Sequence, residues 1–150
     1  MGELMKLLIL NGPNMNMLGI REPEIYGHET YEDLMDLIRK HAGEKGVEAV
    51  CVQSNHEGTL VDEIQKAYFD GFDGIVINPA GYTHTSVAIG DALKAVGLPA
   101  VEVHVSDVQN REDFRKISLV RDAAIATVSG QGLNGYLTAM DILIERGGKR

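Results

Sequence analysis

The sequence is poor in three things, and each shortage removes a class of protein. It has one cysteine, Cys51, so no intramolecular disulfide can form, and no Cys/His spacing suggests zinc. Cys51 sits in an apolar run, where a small buried hydrophobe in a reducing compartment is expected. No apolar run approaches the roughly 20 residues that a membrane-spanning helix needs. The opening Met1-Gly2-Glu3-Leu4-Met5-Lys6 lacks a basic stretch followed by a long apolar one, so no secretory signal is expected. Lys6 stands where a myristoylation signal carries Ser or Thr. Basic charge is the third shortage. With 14 Lys and Arg against 22 Asp and Glu, the net charge of −8 argues against nucleic acid or an anionic membrane as a partner. An anion can then be held only by local cations, which singles out Arg21, Arg111 and Arg115. Nucleotide phosphate has no Gly-x-Gly-x-x-Gly loop and no Walker lysine to bind it. No lysine stands at the carboxyl end of a predicted strand, so a Schiff base has no candidate.

What is present is a regular alternation of short apolar runs and longer amphipathic stretches. Strands are predicted over Leu7–Leu10, Val47–Val52, Gly74–Ile77, Ala100–Val105 and Ala123–Val128. Helices are predicted over Thr30–Lys45, Glu57–Asp70, Thr85–Val96 and Leu133–Arg146, with a short helical turn at Arg111–Lys116. Thr30 and Asp33 fit a capping box at the first helix, and Gly46 fits its end. Strands such as Gly74-Ile75-Val76-Ile77 are apolar without alternation, as strands covered on both faces are. Repeated strand–helix units imply right-handed crossovers and a parallel sheet. The expectation is an α/β fold of one domain over residues 1–150, a flavodoxin-like, doubly wound sheet of five parallel strands. The longest irregular stretch, Asn11 to Glu29, carries Arg21 and Tyr26 and suits a lid.

In such folds ligands bind beyond the carboxyl ends of the strands. Here those ends deliver Asn11-Gly12-Pro13-Asn14, Gln53-Ser54-Asn55-His56, Asn78-Pro79-Ala80-Gly81 and Ser129-Gly130-Gln131. Glu102 and His104 are two apart in a strand and therefore share a face. A carboxylate beside an imidazole fixes its tautomer and favours its charged form, which suits a general acid. A buried pair that only satisfies itself fits the same spacing. Thr83-His84-Thr85-Ser86 offers helix-capping hydroxyls or an anion site at a helix start. Tyrosine ionises near pH ~10; guanidinium groups brought close would favour the ionised form of Tyr26 and a role as a base, while a solvent-exposed Arg21 and a packed Tyr26 fit the same residues. Arg111 and Arg115 are four apart, hence on one face of a helical turn. A receiver-like module needs acids after the first strand and at the end of the third, where Asn11 and Asn78 stand. A flavodoxin needs a hydroxyl-rich loop where Pro13-Asn14-Met15 stands.

Five segments taken together resemble the type II 3-dehydroquinate dehydratases. They are Asn11–Gly19, Arg21–Gly27, Gln53–Gly58, Asn78–Ser86 and Glu102–Ser106, in that family's order and across nearly the whole chain. The resemblance implies dehydration of 3-dehydroquinate to 3-dehydroshikimate, in aromatic amino-acid biosynthesis or quinate catabolism, by anti elimination through an enolate. It implies no metal, no cofactor and no imine. By position, Tyr26 matches the base and Arg21 its lid partner, Asn14 the residue that stabilises the enolate, and His104, oriented by Glu102, the acid. Asn78, Ser106 and the amide of Val105 match the carboxylate site. His84 and Arg115 match groups that hold ring hydroxyls, Arg111 a supporting arginine, and Asp91 a residue reaching a neighbouring subunit's site. The implied partner is a small anionic cyclic substrate, and the implied assembly is a cytoplasmic dodecamer built from trimers. The chain departs from the common pattern at Asp107-Val108-Gln109, at Ile117 and at Glu63.

Overall fold

A computed structural model describes residues 4–20, 22–107 and 111–147, with Ile25 and Tyr26 described by their backbone alone. Arg21, Val108 and Gln109 therefore lie outside the described residues, as does the side chain of Tyr26.

The apolar runs become five parallel strands: β1 (Lys6–Asn11), β2 (Glu48–Gln53), β3 (Gly74–Asn78), β4 (Ala100–His104) and β5 (Ala126–Ser129). Their order across the sheet is β2-β1-β3-β4-β5, the doubly wound order expected. Successive side chains leave a strand on opposite faces, and the two faces have separate cores. Leu7, Ile9, Val76, Val101 and Val103 pack toward one side with Leu34, Ile38, Tyr136, Met140 and Leu143. Leu8, Leu10, Ile75 and Ile77 pack toward the other with Leu60, Ile64, Ile89 and Leu93. The first set of helical residues comes from α2 (Tyr31–Lys45) and α5 (Asn134–Arg146), the second from α3 (Glu57–Phe69) and α4 (Val87–Val96). Each fully buried Leu or Ile contributes about 1.5–3 kcal/mol by leaving water, which is why both faces are covered.

Local signals hold where they rest on side-chain chemistry. Thr30 accepts from the Asp33 amide at 3.1 Å while Asp33 accepts from the Thr30 amide at 2.9 Å, a complete capping box. Gly46 closes α2 in the left-handed region at φ 67°.

Most limits fall within one residue of expectation, and four places differ by more. α4 begins at Val87, because Ser86 takes the Ile89 amide as its cap, and Ala80–His84 forms a 3₁₀ turn before it. β5 begins at Ala126, whose register partner is Val101, and Arg121–Ala123 is another 3₁₀ turn. The turn expected from Arg111 spans Asp113–Lys116, so Arg111 lies outside it and the shared-face argument for the two arginines does not hold. The stretch between Asn11 and Glu29 carries a 3₁₀ turn at Met15–Met17 and one helical turn, α1 (Pro23–Tyr26), led by proline at its first position.

The strand order reverses between β1 and β3, whose last residues, Asn11 and Asn78, are register partners. A ligand crevice belongs there. Among the described residues no helix is long and apolar enough to cross a membrane.

Candidate active site

A cavity of about 260 Å³ opens at the carboxyl ends of β1, β3 and β4. Its wall combines Asn14, Asn78, His84, His104, Ser106, Arg111 and Arg115 with the apolar Met15, Leu18 and Val105. Seven of the residues singled out by sequence reasoning as substrate or catalytic groups, Asn14, Asn78, His84, His104, Val105, Ser106 and Arg115, thus meet around one space.

The backbone there is held in an unusual shape. Asn14 and Ala80 both line the cavity, and both adopt positive φ, 70° and 54°. Asparagine tolerates that region and alanine does not, so the Ala80 turn is strained and needs support. Support comes from Asn78, whose Oδ1 accepts from the Ala80 amide at 3.0 Å. The β1 and β3 loops also touch directly. Gly12 donates to the Asn78 carbonyl at 2.8 Å, and a Cβ on Gly12 would meet the Pro79 carbonyl oxygen at 2.4 Å. Behind Asn14 lies a small amide network. The Asn14 amide donates to Asn55 Oδ1 at 3.0 Å, and Gln53 Nε2 reaches Asn55 Oδ1 at 3.2 Å and the Gly12 carbonyl at 3.1 Å.

Glu102 and His104 share a face, as two-residue spacing requires. Glu102 is fully buried, and its Oε2 lies 2.5 Å from His104 Nε2. The same oxygen accepts from Ser118 Oγ at 3.0 Å, and Oε1 accepts from Thr127 Oγ1 at 3.3 Å. Arg121 Nε stands 3.6 Å from Oε1, an ion-pair distance too long for a hydrogen bond. Burial alone raises this carboxyl. The hydrogen bond and charge of His104, the Ser118 hydroxyl and the Arg121 guanidinium outweigh it and hold Glu102 below the usual carboxylate range. An ionised Glu102 fixes His104 through Nε2 and leaves Nδ1 as the ring nitrogen that can carry an exchangeable proton.

His84 is fixed differently. Its Nδ1 lies 2.7 Å from the Ile117 carbonyl, which can only accept, so Nδ1 carries the hydrogen. Its ring meets Phe114 edge-on, and Phe114 also lies 5.0 Å beneath the Arg115 guanidinium. Arg115 pairs with Glu112 through Nε. Arg111 reaches Ser106 Oγ at 3.4 Å. Two cations in the wall of a net acidic protein make the cavity locally suited to an anion. Among the described residues no three metal-ligating side chains converge.

Of the other expected site residues, Glu102 stands behind His104, and three are not seen at the cavity wall among the described residues. Arg21 and the Tyr26 side chain lie outside the described residues; the Tyr26 backbone closes α1, on the segment beyond the cavity-lining Leu18. Asp91 lies on the exposed side of α4, away from its own chain's cavity. Sequence reasoning missed Tyr136, which bridges Asn11 and Asn78, and the Ser118, Thr127 and Arg121 groups around Glu102. The spacing of Tyr136 on the inward stripe of α5 could have flagged it as a buried tyrosine in need of polar partners.

The sequence matches the family described as Dehydroquinase class II over residues 5–144. It is similar to the 3-dehydroquinate dehydratase of Clostridium perfringens, 50% identical over 139 residues, which are 93% of this chain and 96% of that protein. The structure is similar to that of type II dehydroquinase from Butyrivibrio crossotus, with a TM-score of 0.94 and 52% identity over 95% of this chain and 99% of that one. It is also similar to the type II dehydroquinase of Propionibacterium acnes, with a TM-score of 0.87 and 37% identity over the same shares.

Proposed function

The chain belongs to the class II dehydroquinase family, and from that premise we propose how its residues divide the reaction between them. The family's activity is that of a hydro-lyase, the dehydration of 3-dehydroquinate in the shikimate pathway. In the proposed course, Tyr26 as phenolate takes the proton from the carbon next to the ketone. The electron pair moves onto the ketone oxygen as an enolate, which Asn14 stabilises. Collapse of the enolate restores the carbonyl, forms the new carbon–carbon double bond and expels the hydroxyl group. His104 gives that group its Nδ1 proton, so that water leaves. Arg21 lowers the affinity of Tyr26 for its proton, and Glu102 holds His104 in the protonated orientation.

The observation that carries this reading is the buried Glu102–His104 pair, whose ring opens on an anion-suited cavity at the strand ends. A weakly acidic carbon acid needs donors already in place where charge develops, and a fixed imidazole needs no reorganisation to protonate the leaving group. Asn78, Ser106 and the Val105 amide are read as the site for the substrate carboxylate. His84 and Arg115 hold ring hydroxyls, with Arg111 in support. Asp91, outside its own cavity, is read as completing the site of a neighbouring copy in a dodecamer of trimers. The working unit is a single cytoplasmic catalytic domain that needs no metal, cofactor or imine.

The test mixes purified protein with 3-dehydroquinate and a metal chelator and follows the ultraviolet absorbance of the conjugated product. Product is expected with the chelator present and after borohydride treatment in the presence of substrate. Loss of turnover under either treatment refutes the cofactor-free, imine-free course.

A further inference from the structure

Tyr136 forms no part of the cavity wall, yet it touches the two asparagines that end β1 and β3. It stands in the first turn of α5 and is fully buried. Its hydroxyl oxygen lies 2.6 Å from Asn11 Oδ1 and 3.0 Å from Asn78 Nδ2. One phenol therefore spans the point where the strand order reverses. A phenol has a single proton, and an amide oxygen can only accept. The bond to Asn11 Oδ1 takes that proton. Burial pushes the Tyr136 phenol far above its ordinary value, so the proton stays there.

What remains for Asn78 is a pair of lone pairs, which only the NH₂ end of its amide can meet. From the other side the Ala80 amide requires Asn78 Oδ1 as its acceptor. Both ends of the Asn78 amide are thereby determined. One of its N–H bonds points to Tyr136. The other rests 3.5 Å from Met15 Sδ, a weak acceptor in the cavity wall. A substrate oxygen is a far better acceptor than a thioether.

We propose that Tyr136 is a positioning residue for the dehydration: by giving its proton to Asn11, it locks the Asn78 amide with an N–H bond available to an oxygen of the bound substrate. The inference rests on the reading of Asn78 as a substrate contact. Without the phenol oxygen, only the Ala80 amide and the weak Met15 contact still orient the Asn78 amide, and an amide turned over presents an oxygen to an oxygen.

A double-mutant cycle tests it. Tyr136→Phe is expected to raise KM for 3-dehydroquinate about tenfold, the effect of one misdirected hydrogen bond. kcat is expected to change far less, and the pH profile of kcat/KM to keep its shape, because no proton-transfer group is touched. In an Asn78→Ala background the same substitution is expected to leave KM unchanged. An equal rise in both backgrounds is what general loosening of the core produces, and it overturns the proposal, as does a wild-type KM in Tyr136→Phe. Should that variant fail to fold, Asn11→Leu replaces it. This change frees the phenol proton to turn toward Asn78, and a similar rise in KM is expected from a residue outside the cavity wall. A wild-type KM there refutes the proposal. A wild-type KM in Asn78→Ala alone is a different result. It removes Asn78 as a substrate contact, and the inference falls with that reading.

Discussion

Replacing Glu102 with glutamine keeps the shape of the side chain and removes one charge and one acceptor. In the native protein, Oε2 receives His104 and Ser118, while Oε1 receives Thr127 and faces Arg121 at 3.6 Å. If the glutamine oxygen takes the place of Oε2, its NH₂ group faces Thr127, which can turn to accept, and Arg121, which cannot. The larger loss is at His104, because protonated imidazole no longer faces a carboxylate. A hydrogen bond to a charged group contributes about 1.5–3 kcal/mol, and two unit charges ~4 Å apart interact by about 4 kcal/mol at an effective dielectric of about 20. A loss of about 2–4 kcal/mol in the transition state lowers kcat/KM by roughly thirtyfold to nearly a thousandfold. Steady-state ultraviolet assays at neutral pH read this directly. Stability carries a second signature. Glu102 is held below its ordinary value in the folded protein, so it binds fewer protons folded than unfolded. Its contribution is complete above the unfolded value, about 4.3 for glutamate, and is lost as pH falls through the lower folded value. Glu102→Gln is therefore expected to flatten the acid side of the stability curve measured by urea unfolding. Turnover within about threefold of wild type, or an unchanged acid slope, refutes the account of Glu102 as an ionised tether.

Other parts of the molecule give further expected outcomes. His104→Ala and Tyr26→Phe are each expected nearly to abolish turnover with an unchanged circular dichroism spectrum, and near-normal activity in either refutes the role given to it. Gly12→Ala places a Cβ 2.4 Å from the Pro79 carbonyl oxygen; the parted loops are expected to cost about 1–3 kcal/mol in urea unfolding, and wild-type stability refutes the close approach. Burial pushes the Cys51 thiol up to about 11, so a thiol reagent at mildly alkaline pH is expected to react slowly with folded protein and rapidly in urea. Equal rates in the two conditions count against that burial.

The layered fold was legible because its signals are local. A strand covered on both faces must be apolar at every position, so β1 and β3 stand out as unbroken runs, and the Thr30–Asp33 cap lies within four residues of chain. Where an element's limit depends on a distant partner, the same reasoning misplaced it. Ala123-Ala124-Ile125 is as strand-like as Ala126-Thr127-Val128, yet Arg121–Ala123 turns as a 3₁₀ helix and the register with β4 starts at Ala126, opposite Val101. The site divides along the same line. Glu102 and His104 declare themselves through a period of two within one strand. Tyr136 is 125 residues from Asn11 and 58 from Asn78, and it occupies the inward stripe that continues through Ala139, Met140 and Leu143. By periodicity it is one more core residue. Its hydroxyl acquires meaning only once the β1–β3 register sets Asn11 beside Asn78. Ser118 is alike: a serine in a turn by sequence, it becomes a partner of Glu102 only when the segment after β4 folds back on that strand. Polar pairs spaced within one strand are thus recognisable from their own neighbours in the chain. Residues that aim them depend on topology, because a lone hydroxyl has no periodicity of its own and its partner is chosen by the sheet.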